Sequence, residues 1–396
     1  MKNLLIVLVI SIATANISFG QILLDSTINS STKKILLTDP NLFAIGSYGE
    51  AHYNQEIIEN TFQNGNMDLH RVILFMGYKF NNNIQFFSEI EFEHVQEVYV
   101  EQAFMNYRFN NAFNLKAGII LIPMGVVNEF HEPTLFNGVE RSDIDKYILP
   151  TTWREMGIGS HGILKKANLQ YQLYMVNGFK GYNGSALVSG KNGLRSARQK
   201  GAEATFRTPS FTGKLTYYGI NGLNLGVSGY YGQTESTLYD GLGRDDQEGI
   251  AMADSSAVGI AMASINATYT IKNLSIKILA ATTQLSNTEE YNEFTGTNAA
   301  TRMFGYYGEL GYNFKLKSNQ DFPLLIPFVR YENFDTHAEL NNGATRNTGY
   351  HKEVLTTGLG LQLTPGVIFK SDFQWRKTEA DPKPTNMLNV GFGYWF

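Results

Sequence analysis

Residues 388–396 read LNVGFGYWF and alternate without a break. Leu388, Val390, Phe392, Tyr394 and Phe396 share one face; Asn389, Gly391, Gly393 and Trp395 share the other. Period-2 alternation marks a β-strand between two different environments. One face here is apolar and aromatic, and the chain ends on it. A free strand of this kind invites edge pairing in water. A barrel closed within lipid has no free edge and needs an apolar outer face. The last strand of a soluble sandwich is the competing reading of this segment alone.

The other end of the chain agrees with the barrel. Lys2 precedes an apolar run from Leu4 to Ile12, and Ser18, Phe19 and Gly20 offer a cleavage point before Gln21. This is the layout of a secretory signal peptide. The run is too short to span about 30 Å of hydrocarbon as a helix. Residues 1–20 are therefore expected to be removed, with cleavage near Gly20, and residues 21–40 to form a polar periplasmic lead-in. The rest, 41–396, is expected to be one all-β transmembrane antiparallel barrel in the outer membrane of a gram-negative bacterium.

Composition agrees. The 396 residues include 38 Gly, 22 Tyr and 26 Phe, and no Cys. A mean hydropathy of -0.20 suits strands that face lipid on one side and water on the other. The absence of Cys excludes a disulfide framework and a lipid-modified cysteine. The formal charge is -4, and losing Lys2 makes it -5, which argues against nucleic acid as a partner. The partners expected instead are outer-membrane lipid, the barrel-assembly machinery and small hydrophilic solutes. Phe392, Tyr394 and Phe396 are the expected assembly signal. A homotrimer is one assembly open to such a barrel.

Sixteen strand-like segments follow the lead-in: Leu42–Tyr53, Met67–Phe80, Ile84–His94, Val98–Phe109, Ala112–Ile122, Glu155–Lys165, Leu169–Phe179, Arg198–Thr208, Leu223–Thr234, Val258–Ile271, Leu274–Leu285, Phe304–Leu316, Leu324–Phe334, Val354–Leu363, Val367–Lys377 and Met387–Phe396. An even number suits a single-chain bacterial barrel, and short turns alternate with long loops as such a barrel requires. The third segment orients the wall. Glu89, Glu91 and Glu93 alternate with Ser88, Ile90 and Phe92. Three carboxylates on one face cannot point into lipid or fill a dry core, so they are expected to line water. The same reasoning places Glu50, His52, Arg71, Lys79, Arg108 and Lys116 along the pore.

The densest polar cluster lies in the long connection from Pro123 to Thr152 and just beyond it. It holds Asn128, Glu129, His131, Glu132, Arg141, Asp143 and Asp145, followed by Trp153 and Arg154. Pro123, Pro133 and Pro150, with the apolar Leu135, Phe136, Ile144 and Ile148, argue for an ordered loop. One His among carboxylates is a weak metal signal. A hydrogen-bonded anchor is the commoner use of such a set. Ser160-His161 and Asp254-Ser255 have no catalytic spacing, and adjacent strand residues point to opposite faces. No enzyme, cofactor or metal is expected.

The stretch from Gly118 to Gly159, GIILIPMGVVNEFHEPTLFNGVERSDIDKYILPTTWREMGIG, carries a resemblance. Its strand ending in Pro, then Gly125, Asn128-Glu129, His131, Pro133, Phe136, Arg141, Pro150, Trp153 and Glu155, resembles the porins of Bacteroidetes-type outer membranes, related to the phosphate-selective porins O and P. Asp68–Phe80 and the Gly46, Tyr48, Glu50 pattern fit the same family. The resemblance implies about sixteen strands and a third external loop that folds inward and narrows the pore. It implies passive diffusion of small hydrophilic solutes or ions. Phosphate-selective members use clustered basic side chains, whereas this chain has no Arg or Lys ladder along its strands. With Glu50, Glu89, Glu91 and Glu93 facing Arg71, Lys79, Arg108 and Lys116, and a net charge of -5, at most a weak cation preference is expected. An adhesion or secretion barrel acting through its long loops is the alternative.

Overall fold

The computed structural model describes residues 43–396, so the segments read as signal peptide and lead-in lie outside the described residues. Sixteen long strands form one closed antiparallel sheet. They are β1 Phe43–Ile58, β2 Asn66–Lys79, β3 Ile84–Glu93, β4 Glu97–Arg108, β5 Asn114–Leu121, β6 Arg154–Leu164, β7 Leu169–Asn177, β8 Pro209–Ile220, β9 Leu223–Gln233, β10 Gly259–Ile271, β11 Leu274–Ser286, β12 Arg302–Tyr312, β13 Leu324–Glu339, β14 His351–Thr364, β15 Val367–Thr378 and β16 Thr385–Trp395. Each pairs with its neighbour in sequence. β16 returns to β1 in a register running from Tyr48 opposite Trp395 to Ile57 opposite Asn386. No long strand is left with a free edge, which is the condition for a sheet to cross lipid.

Alternation explains the wall. Along β12, Met303, Gly305, Tyr307, Glu309 and Gly311 are buried inside, and Phe304, Tyr306, Gly308, Leu310 and Tyr312 are exposed outside. β16 keeps the faces read from sequence: Asn389 is fully buried, while Val390 and Phe392 lie outside at 45% and 44% exposure. At the short-turn end, aromatic side chains meet in pairs, including Phe43 with Tyr78, Tyr107 with Phe109 and Tyr312 with Phe314. Such belts mark a membrane interface.

One segment differs from the reading. Residues 198–208 are not a strand; the eighth strand is Pro209–Ile220. Lys200, Gly201 and Glu203 all have positive φ, which turns the chain out of the extended region. Proline lacks a donor and is tolerated as the first residue of a strand, so Pro209 opens β8 naturally. The strand count is unaffected.

The connections are unequal. Turns such as 80–83, 221–222, 272–273 and 365–366 close one end, while 122–153, 178–208, 234–258 and 287–301 rise from the other. The long loops carry the helices: α1 Ile144–Tyr147, α2 Gln247–Ser255 and α3 Thr288–Thr295. The loops also pack on each other. Buried Tyr291 of α3 donates its hydroxyl to the Gly181 carbonyl at 2.6 Å and accepts from the amides of Leu187 and Val188 at 3.2 Å. The main apolar core is therefore inside the barrel, between wall and loops.

Candidate functional site

The loop at 122–153, here called L3, is closed at its base by one side chain. Asn128 donates to the carbonyls of Ile122 and Trp153 at 2.7 and 2.8 Å and accepts the Trp153 amide at 2.7 Å. An amide can make all three bonds at once, which suits a buried position tying two chain segments together. From this base the loop runs into the lumen. Met124, Val139, Ile144, Ile148, Leu149 and Trp153 are each no more than 1% exposed. Full burial of an aliphatic side chain of that size contributes about 1.5–3 kcal/mol before entropy is counted.

Polar anchors then fix the loop to walls on several sides. Lys214 of β8 donates to the Gly125 carbonyl and to Glu129 at 2.7 Å each. Lys370 of β15 reaches the Phe136 carbonyl at 2.8 Å, and the Val139 amide donates to Asp372 at 2.6 Å. The Asp143 amide donates to Glu332 of β13 at 2.8 Å, and its carboxylate accepts from Arg376. L3 thus folds inward, as the resemblance implied.

Against β1–β4 the contact is ionic. Arg71 Nε donates to Glu50 at 2.7 Å, and its guanidinium also reaches the His131 carbonyl. His131 Nε2 is 2.9 Å from the Tyr48 hydroxyl, and its Nδ1 is 3.1 Å from the Asn128 carbonyl. His52 Nδ1 lies 3.1 Å from Glu140. Burial alone would raise the Glu140 carboxyl, but His52 holds it down at about 2. Burial pushes Asp145 the other way, up to about 7, and the charge of Glu332 adds to the rise.

This packing corrects the expectation for the acidic wall. Glu89 and Glu91 are 0% and 3% exposed, so they face the docked loop and not open water. Glu89 accepts from the Gln102 amide at 2.8 Å, and the charges of buried Arg71 and Arg154 act on Glu91. Glu132 is also fully buried. Glu93 lies at the long-loop end and is half-buried. Arg108 is a second correction: it is exposed at the turn after β4, donating to Asn111 at 2.6 Å, because the strand ends there. Lys79 ends β2 at the same side of the barrel. Lys116 points inward, its ammonium 4.2 Å from the Phe104 ring centre.

Alternation missed one wall residue. Glu101 is fully buried beside His131, 3.4 Å from Nε2. Glu89 pairs with Gln102 but Ile90 with Val100, so Glu101 is an extra residue in a bulge. A bulge turns two successive side chains to one face, and strict period 2 would have sent Glu101 to lipid.

Sequence also gave no sign of a basic cluster around Tyr147. Lys146 of L3 and Lys352 of β14 lie 5.5 and 5.1 Å from the centre of its ring. Lys352 also feels the positive charges of Arg376 and Lys191 and the negative charge of Asp143. Lys191 belongs to the loop 178–208, which approaches L3 closely. A Cβ at Gly193 would come within 2.3 Å of the Tyr147 carbonyl, and its φ of 55° also requires glycine.

Residues 47–394 match the family described as phosphate-selective porin O and P. The chain belongs to that family. It is an outer-membrane porin, a channel for passive diffusion, and not an enzyme. A protein of Aquifex aeolicus (strain VF5), described only as uncharacterized, is 30% identical to this porin over 372 residues, covering 89% of this chain and 80% of that one. Among solved structures, the outer-membrane channel DcaP of Acinetobacter baumannii superposes with a TM-score of 0.55 at 11% identity, over 91% of this chain and all of that one. The anion-selective porin from Comamonas acidovorans gives 0.55 at 10% identity, over 90% and 100%. The trimer form of OmpT from Vibrio cholerae gives 0.52 at 11% identity, over 90% and 100%. At these identities the likeness is one of fold.

Proposed function

We propose that the channel favours small inorganic anions, with L3 as its constriction. The observation that carries this is the gathering of Lys146, Lys191 and Arg376 around Lys352 and Tyr147, opposed by Asp143 and Glu332, which Arg376 and Arg330 already pair. Basic side chains around a pore favour anions. The acidic wall that argued for cations is withdrawn beneath L3, where buried and paired charges have little contact with passing ions. Lys146 and Lys191 are exposed. The family's description as phosphate-selective supports the same reading.

Reversal potentials in a salt gradient across planar bilayers test it. The wild type should be anion-selective, and Lys146→Gln with Lys352→Gln should move the potential toward cations. A cation-selective wild type would remove the proposal. The homotrimer rests on the trimer form of the Vibrio cholerae protein, and light scattering on the detergent-purified porin decides it.

A further inference from the structure

A second group of ionisable side chains lies at the long-loop rim, beside the contact between His52 and Glu140 of L3. Asp68 and His70 lie on β2, and His94 begins the three-residue turn between β3 and β4. The His94 amide donates to the His70 carbonyl at 3.2 Å, which ties the turn to β2. His94 Nδ1 lies 2.6 Å from Asp68 Oδ2, and His70 Nδ1 lies 3.3 Å from the same oxygen. The three candidate ligand atoms fall within 4.8 Å of one another.

A bulge brings them together. Glu50 pairs with Arg71 and His52 with Asp68, so Ala51 faces two residues, Leu69 and His70. The shift brings Asp68 and His70 to the face that Arg71 occupies lower on the strand. The ring of His70 stacks on that of His52, 4.7 Å between centres at 14°, which limits its rotation. His94 has a φ of 52° and is half exposed, leaving the cluster open to solvent.

We propose that Asp68, His70 and His94 bind a divalent first-row transition metal ion, with Zn²⁺ the natural probe. Two imidazoles and one carboxylate make an N₂O donor set. That set suits Zn²⁺, Ni²⁺ or Cu²⁺, whereas Ca²⁺ and Mg²⁺ take oxygen ligands. Zinc bonds of about 2.0–2.2 Å put tetrahedral donors roughly 3.3–3.5 Å apart. Two of the separations here are 2.6 and 3.3 Å and the third is no more than 4.8 Å, so small side-chain rotations would fit the three donors around an ion. A fourth position is left for water. Glu93, 3.8 Å from His94 Nε2, stands where an outer carboxylate can orient a ligating ring. The stacked His52 bonds Glu140 of L3, so an ion at the rim would sit two side chains from the constriction loop.

The test is calorimetric titration of the untagged, detergent-purified porin with Zn²⁺, backed by the visible spectrum of the Co²⁺ form. One ion per chain is expected. His94→Ala and Asp68→Asn should each weaken binding about tenfold or more and abolish the Co²⁺ bands. His94→Gln, close in size and in an exposed turn, should do the same with the barrel intact. His351→Ala, a rim histidine paired with Glu379, should leave binding unchanged. Wild-type affinity in His94→Ala and His94→Gln would overturn the proposal. So would the absence of one-to-one binding, or displacement of Zn²⁺ by an equal concentration of Ca²⁺.

Discussion

Arg71 and Glu50 form an ion pair 2.7 Å long with side chains 1% and 3% exposed. A pair buried this deeply is weak evidence for stability, but breaking it leaves an uncompensated buried charge. Because Arg71 also holds the His131 carbonyl, the pair couples the β1–β2 wall to L3.

Arg71→Met should therefore lower stability by about 3–5 kcal/mol, whereas Arg71→Met with Glu50→Gln should recover much of the loss. Denaturant unfolding of the detergent-solubilised barrel, followed by tryptophan fluorescence, measures both. Equal stability of the single and double variants would mean that the pairing is not what matters.

Asp145 makes L3 sensitive to pH. Its carboxyl titrates at about 7 in the docked loop, against roughly 3.9 in an open chain. A raised value means that docking favours the protonated form. The added stability is present below about pH 4 and is lost as pH rises toward 7, by up to about tenfold in the docking equilibrium per pH unit. Hydrogen-exchange protection at Ile148, Leu149 and Thr151, whose amides bond to Ile144 and Asp145 carbonyls, should fall across that range. Asp145→Asn should flatten the profile.

Deleting residues 129–147 removes the anchors to Lys370, Asp372, Glu332 and Arg376 and the Glu129 half of the Lys214 anchor, so single-channel conductance should rise. Glu89→Gln with Glu91→Gln should instead leave the reversal potential near wild type, because neither side chain meets the aqueous path while L3 is docked. A large shift toward anions would place the acidic wall in the conduction path after all.

The end of the chain is bonded to the start of the barrel. The Phe396 amide donates to the Ser47 carbonyl at 2.9 Å, and the Ser47 amide donates to the Phe396 carbonyl at 3.1 Å. Tyr394 and Phe396 stack on the outer face, 6.0 Å between centres. Deleting Phe396 should reduce the yield of assembled barrel in the outer membrane, measured by heat-modifiable migration. Normal yield would count against a role for these aromatics in assembly.

By itself the sequence determined that this chain is a barrel of sixteen strands, and which face of most strands meets lipid. Those facts follow from residues two apart, and side-chain direction in a strand is a local property. It also marked 123–152 as the exceptional loop, because prolines and apolar residues in a long connection are a local signal too. Only the tertiary structure decided what lies in the lumen. The bulges at His70 and Glu101 depend on the register between two strands, so neither residue could be assigned a face from its own neighbours. The failed strand at 198–208 depended on backbone turns at Lys200 and Glu203 that composition did not announce. Lys146, Lys191, Lys352 and Arg376 come from two loops and two strands and meet only when the sheet closes. The same closure brings L3 over Glu89 and Glu91, turning carboxylates that the pattern assigned to water into buried partners of a docked loop.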